Sequence, residues 1–201
     1  MRIGIIGGTY NPPHNGHIHA ALTAKHALGL DLLLLIPACD PPHKTLPPGT
    51  PAAEQRLEMT RLAAAVIDAG VSDMEINRGG VSFTADTLKE LKKLYGDAEF
   101  WLIVGTDMFL TVQEWKSAEY IMNNAGIAAV PRHVNDYIEL ERHAEFLCRR
   151  YKCDIRLLDV CPVDVSSTEL RNNIYSEKSR VSIPETVYNY ILENELYKKE
   201  G

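Results

Sequence analysis

The 201-residue sequence predicts a doubly wound, Rossmann-like α/β domain, a parallel sheet with helices on both faces. Three observations carry the prediction. Short apolar runs alternate with stretches of helical periodicity, as in sheets built from strands joined by crossover helices. The runs are unbroken rather than alternating, as in DLLLLI at 31–36, which suits strands covered on both sides. A glycine pair follows the first run and leads into a helical stretch, giving a strand, loop, helix, strand unit.

The elements follow in order. Arg2 to Ile6 is the first strand, and His14 to Leu28 is a helix with apolar residues at Ile18, Ala21, Leu22 and Leu28 and a stop at Gly29. Asp31 to Ile36 is the second strand. Pro37 to Pro51 holds six prolines and a glycine, so it reads as a long surface loop of the functional or mobile kind. Ala52 to Ala69 reads as a helix, Val71 to Ile76 as a short strand, and Thr84 to Tyr95 as a helix capped by Thr84 or Asp86. Strands follow at Glu99 to Val104 and Gly126 to Val130, then a helix at Asp136 to Tyr151 and a strand at Asp154 to Leu158. Two helices close the chain, at Ser167 to Tyr175 and Pro184 to Asn194, the helices from about residue 166 belonging to the same single domain, 1–201.

With 45% hydrophobic and 24% charged residues, the chain can bury one full core. A net charge of −6 argues against a broad phosphate-backbone surface, so nucleic acid is not the expected partner. Any bound anion must be held by a local cluster. Cys39, Cys148, Cys153 and Cys161 have no CxxC or zinc-ligand spacing, so no metal site is expected and they read as reduced thiols. No apolar run is long enough to span a bilayer and the first residues form no signal peptide, so a cytoplasmic protein is expected.

GGTYNPPHNGH, residues 7–17, concentrates the chemistry. A loop between a first strand and a first helix gathers backbone N–H groups and the positive helix end at one point, which suits a phosphate. The dehydrogenase pattern GxGxxG fails here, because Gly4 opens GIIGGT and Gly7 opens GGTYNP. In its place stand His14 and His17, three apart and so on one helix face, with Gly16 between them. His19 and His26 have no such context. SSTELR at 166–171 reads equally as an ordinary helix cap or as a second phosphate-binding helix start.

These residues resemble a family. GGTYNPPHNGH is similar to the GGTFDPPHxGH signature of nucleotidyltransferases with an HxGH motif, and more narrowly of bacterial nicotinate mononucleotide adenylyltransferases. PPHK at 41–44 resembles the family's loop motif, SFTADT at 82–87 its SYTxDT, GTDMF at 105–109 with Trp115 its GxD element and downstream tryptophan, and VSSTELR at 165–171 its ISSTxxR.

The resemblance implies transfer of the adenylyl group of ATP to nicotinate mononucleotide, releasing pyrophosphate. It implies that Gly7, Gly8 and Thr9 cradle phosphates, that His14 and His17 donate to them as imidazolium, and that Ser166, Ser167, Thr168 and Arg171 hold the ATP phosphates, with Arg171 at the leaving pyrophosphate. Gly105 and Asp107 fall on the adenosine side. Lys44, Thr84, Trp115 and Arg132 fall on the mononucleotide side, Trp115 stacking the pyridine ring unless it is a core tryptophan. Mg²⁺ is expected to arrive with ATP, and a homodimer is common in the family.

Tyr10, Asn11 and Phe83 stand where the family usually has Phe, Asp and Tyr, Val165 replaces an isoleucine, and PRHV at 131–134 replaces RPG, leaving Arg132 doubtful. A nicotinamide mononucleotide enzyme, a pantetheine-phosphate adenylyltransferase, a cytidylyltransferase and a non-catalytic nucleotide sensor are the alternatives.

Overall fold

The computed structural model describes residues 1–151, 153–159 and 165–198, so Cys161 lies outside the described residues. Six parallel strands form one sheet in the order β3-β2-β1-β4-β5-β6. They are β1 (Arg2–Gly8), β2 (Leu32–Pro37), β3 (Gly70–Val71), β4 (Glu99–Gly105), β5 (Gly126–Val130) and β6 (Ile155–Leu157).

The unbroken leucines of β2 divide between two cores, because successive side chains of a strand point to opposite faces. Leu33 and Leu35 enter one cluster with Ile6, Ile103 and Ala128; Leu34 and Ile36 enter the other with Ile3, Ile5 and Leu102. The first face is covered by α1 (Asn15–Leu28), α2 (Ala53–Ala65) and, from the far end of the chain, α10 (Glu185–Glu193). The second is covered by α4 (Thr84–Tyr95) and α6 (Ala118–Asn124), while α5 (Thr106–Leu110) and α7 (Tyr137–Tyr151) close a third cluster against β5. At about 1.5–3 kcal/mol for each fully buried Leu or Ile, this double cover is what stabilises the sheet.

Close packing reaches the backbone at Gly126 in β5, where an added Cβ would meet the Trp101 indole at 2.7 to 2.9 Å. Trp101 cannot step aside easily, since its Nε1 donates to Glu99 at 2.8 Å. Gly126→Ala is expected to lower stability by about 1–3 kcal/mol, the usual cost of overpacking. Urea unfolding with an unchanged m-value checks it.

Several expectations need correction. Val71 to Ile76 is not a strand: β3 ends at Val71 and a short helix, α3 (Met74–Arg78), begins after Asp73. The Ala52–Ala69 helix stops at Ala65, where Val66 and Ile67 turn to bonds three residues back and Asp68 takes φ +50°. The α4 helix is entered from Phe83 in extended conformation without a side-chain cap, so neither Thr84 nor Asp86 caps it. Gly7 and Gly8 belong to β1, opposite Ile36 and Pro37, rather than to a loop. The closing region holds α8 (Ser167–Asn172), α9 (Glu177–Ser182) and α10 rather than two helices, and α5 and α6 were not expected.

One feature of the sheet positions the site. The β1–β4 pairing stops at Ile5–Leu102 while β1 continues along β2 to Gly8–Pro37, so a crevice opens between the carboxyl ends of β1 and β4. Crossovers run to either side of this point, which is where open α/β sheets bind ligands.

Candidate active site

The crevice is walled first by the start of α1. His14 precedes the helix in extended conformation (φ −147°), and its backbone N–H donates to Nδ1 of His17 at 3.2 Å. The two rings lie 3.8 Å apart between centroids. Because Nδ1 of His17 accepts, the proton of its neutral ring sits on Nε2, which is therefore a donor. Burial, and then the neighbouring cations, push His17 down to about 4 and His14 to about 2. Both imidazoles are thus neutral at pH 7 where the imidazolium form was expected, and a second proton on His17 would have to sit on Nδ1, which already faces the His14 N–H donor. His14 is buried and its Nδ1 has no hydrogen-bond partner among the described residues.

These lowered values bear on stability. The unfolded chain takes up protons near pH 6.5 that the folded chain refuses, so stability present above that pH is lost as pH falls toward 4 for His17 and further for His14. A loss of about 1.4 kcal/mol per pH unit per histidine is expected. Denaturant melts between pH 7.5 and 5 check this, and His14→Gln should flatten the slope.

The second wall comes from the other end of the chain. Ser167 at the start of α8 donates its hydroxyl to the Pro12 carbonyl at 3.2 Å, and Arg171 donates to the Asn11 carbonyl at 2.8 Å and to Thr168 Oγ1 at 3.0 Å. Ser166 precedes α8 without a side-chain capping bond. The SSTELR segment thus closes on the PPH turn across 155 to 160 residues of sequence.

Side-chain contacts of the same turn account for two departures from the family pattern. Asn11 is buried, donates from Nδ2 to Thr50 Oγ1 at 3.0 Å and accepts at Oδ1 from the Tyr197 hydroxyl at 2.8 Å. Thr50 already spends its own hydroxyl proton on the Pro47 carbonyl at 2.6 Å, so a donor is required opposite it, which an amide supplies and a carboxylate does not. Tyr10, fully buried, donates to the Ile6 carbonyl at 2.7 Å, and its ring packs 5.2 Å from that of His17. Gly7 has open space where a Cβ would stand, while Thr9 is buried and offers its carbonyl to Arg56 at 2.9 Å.

Positive charge converges on the crevice of this otherwise acidic chain. Lys44, in the 37–51 loop, is exposed, yet partial desolvation followed by repulsion from Arg171, Arg132 and Arg56 pulls its ammonium below the usual lysine range. Arg132 is drawn in despite the doubtful motif: it pairs with Asp107 at 2.6 Å, lies 3.4 Å from the Cβ position of Gly105, and acts on both histidines. Its backbone is fixed by Thr106 Oγ1 at 3.1 Å and Asp136 at 2.9 Å. Arg132 therefore sits with Gly105 and Asp107 at the end of β4, between the two expected substrate sides.

Thr84 and Trp115 lie on two segments that Lys116 joins. Thr84 is the first residue of α4; Trp115 follows a 3₁₀ turn, packs against two core clusters and has its ring 5.6 Å from that of His43. Its Nε1 is buried without a hydrogen-bond partner among the described residues. The Lys116 ammonium lies 4.0 Å from the centre of the Phe83 ring and 3.4 Å from Asp86, tying the two segments together.

Sequence reasoning missed Arg56, His43, Thr50 and Tyr197. Arg56 alone left a legible signal, because in α2 it shares the buried stripe of Met59, Thr60 and Ala63 at spacings of three, four and seven.

Comparison with known proteins follows the same lines. The family described as Cytidylyltransferase-like matches residues 5–173. A protein of Citrifermentans bemidjiense named "Probable nicotinate-nucleotide adenylyltransferase" is 38% identical over 213 residues, 98% of each chain. One of the same name from Clostridium botulinum is 34% identical over 202 residues, 99% of each chain. The Plasmodium falciparum nicotinic acid mononucleotide adenylyltransferase complexed with NaAD shares the fold, with a TM-score of 0.76 at 17% identity over 98% of this chain and 97% of that one. With its HxGH and SSTELR segments joined across one crevice, the chain belongs to the cytidylyltransferase-like nucleotidyltransferases, in the branch of the nicotinate-nucleotide adenylyltransferases.

Proposed function

We propose that the protein transfers the adenylyl group of ATP to nicotinate mononucleotide, giving nicotinate adenine dinucleotide and pyrophosphate, as a cytoplasmic enzyme of NAD biosynthesis. The observation that carries this reading is the closure of Arg171 and Ser167 onto the Asn11–Pro12 turn, which brings an arginine fork to the strand-to-helix turn that leads into two closely spaced, mutually tilted imidazoles, in a crevice also reached by Lys44 and Arg132.

The mononucleotide phosphate is itself a nucleophile, so no enzyme nucleophile is needed. The protein aligns it with the α-phosphorus and stabilises the charge that develops on the bridging and leaving oxygens. His17, with Nε2 as donor, addresses the α-phosphate, and His14 its neighbour. His17 donates as a neutral ring, while a bound polyanion raises the affinity of His14 for a proton and counters the burial that keeps it neutral beforehand. Arg171 receives the leaving pyrophosphate. Mg²⁺ enters with the ATP as part of the substrate; no group of three or more His, Cys, Asp or Glu able to hold a metal ion occurs among the described residues. The acceptor is placed by Lys44 at its phosphate, Trp115 against its ring and Thr84 at its carboxylate.

No helix among the described residues is long and apolar enough to cross a membrane. The working form is proposed to be a homodimer, which sedimentation at micromolar concentration tests.

Pyrophosphate release should be measured with ATP or CTP against nicotinate mononucleotide, nicotinamide mononucleotide and phosphopantetheine. Release is expected with ATP and nicotinate mononucleotide. Release with phosphopantetheine alone would refute the assignment.

A further inference from the structure

Two buried charged groups remain that the proposed chemistry does not use. Arg56 is 1% exposed and Glu75 is 7% exposed. No ion pair joins them among the described residues. Arg56 reaches from α2 to three carbonyls, those of Thr9 at 2.9 Å, Ala38 at 2.7 Å and Cys39 at 3.0 Å. Glu75, in α3, accepts from the Thr87 hydroxyl at 2.5 Å and is hydrogen-bonded by Ser82. Ser82 in turn accepts the backbone N–H of Cys39 at 2.9 Å and donates its own N–H to the Asp40 carbonyl at 2.8 Å.

The Ala38–Cys39 peptide unit is thus held from both ends. Its carbonyl points at the guanidinium and its N–H at Ser82, behind which stands the carboxylate. A peptide dipole aligned between a cation and an anion offsets part of the cost of burying each. The same two groups reach the two halves of the site. Arg56 fixes Thr9 at the exit of β1, and Glu75 fixes Ser82 and Thr87, which flank Thr84 at the entry to α4. Between them lies the stem of the loop that carries Lys44.

We propose that Arg56 and Glu75 are positioning residues that act through the Ala38–Cys39 peptide and Ser82 to hold the adenylyl-donor side and the mononucleotide side of the crevice in one register. This rests on the proposed adenylyl transfer for the identity of the two sides. Neither group touches the reacting atoms; the relay fixes where Lys44 and Thr84 stand relative to the Thr9 turn.

The test has two readouts. In steady-state kinetics, Ser82→Ala and Glu75→Gln should each raise KM for nicotinate mononucleotide about tenfold, the scale of leaving one buried polar group unpaired. The KM for ATP and kcat should stay within about twofold. The double variant should be no worse than Ser82→Ala alone, since both act on one peptide. Additive losses, or a KM unchanged in both variants, would overturn the proposal.

The second readout needs no substrate. Thermal melts of Arg56→Met, Glu75→Gln and their combination should show the double variant losing less Tm than the sum of the singles, because both act on the one Ala38–Cys39 peptide and releasing either end already frees it. An additive Tm loss would overturn the relay. Should Arg56→Met fail to fold, Arg56→Lys, which keeps the charge but loses the planar fork, takes its place in the same cycle. If the wild-type protein released no pyrophosphate with nicotinate mononucleotide, the functional reading would fail while the melting cycle still decided the relay.

Discussion

His17→Ala is expected to lower kcat about a hundredfold or more, with a smaller effect on KM for either substrate, the scale of losing one donor aimed at transition-state charge. The reason lies in the tautomer. The His14 N–H occupies Nδ1, so the ring presents a proton from Nε2 whatever its ionisation state. Alanine removes that donor and frees the His14 N–H together. His17→Asn separates the two losses, since its amide oxygen can take over the role of Nδ1 at the helix start without reaching as far as Nε2. The asparagine variant should recover the stability of the alanine one but not its rate. A His17→Ala enzyme that turned over at full rate would remove this residue from the chemistry.

Arg171→Ala is expected to reduce kcat/KM for ATP by about a hundredfold to a thousandfold, in line with losing a charged, partly desolvated hydrogen-bonding group. It loses the clasp on the Asn11 carbonyl and, on the proposed chemistry, the fork offered to pyrophosphate. Ser167→Ala deletes only a clasp, the bond to Pro12, and serves as the comparison. If the clasp were the whole effect, the two variants would have similar rates. Arg171→Lys should recover little, because an ammonium cannot span the Asn11 carbonyl, Thr168 and a phosphate oxygen in one plane. Stopped-flow measurement of pyrophosphate release at saturating mononucleotide makes the comparison.

Much of this architecture was legible in the residues. Strands buried on both faces announce themselves as unbroken apolar runs, and β1, β2, β4 and β5 fall where those runs lie. The run from Val71 to Ile76 misled because Val71, Met74 and Ile76 satisfy a short strand and a single helical turn equally, and only Asp73, just ahead of the first helical residue, separates them. The helix α5 escaped notice because its five residues are too few to show a period. Of the site, the histidines, Arg171 and Lys44 were readable from spacing and resemblance. The Asn11 contacts were not, because its partners Thr50 and Tyr197 lie 39 and 186 residues away and no local pattern links them. Arg132 carried a motif that departs from its family yet stands in the crevice, since its place is set by Thr106 and Asp136 rather than by the residues beside it.

The bond from Tyr197 to Asn11 has a consequence for the order of events during synthesis. The first wall of the crevice leaves the ribosome ahead of the arginine that clasps it, which follows 160 residues later, and of the tyrosine that completes the amide's bonding, 186 residues later. Contacts of such long sequence separation form late and slow the folding of a chain that depends on them. A nascent chain can therefore fold much of its sheet while the crevice still lacks a wall. On the proposed function, the grip on triphosphate is completed only once residue 171 has been made, so chains ending before it would hold the sheet strands without the means to compete for the cell's ATP.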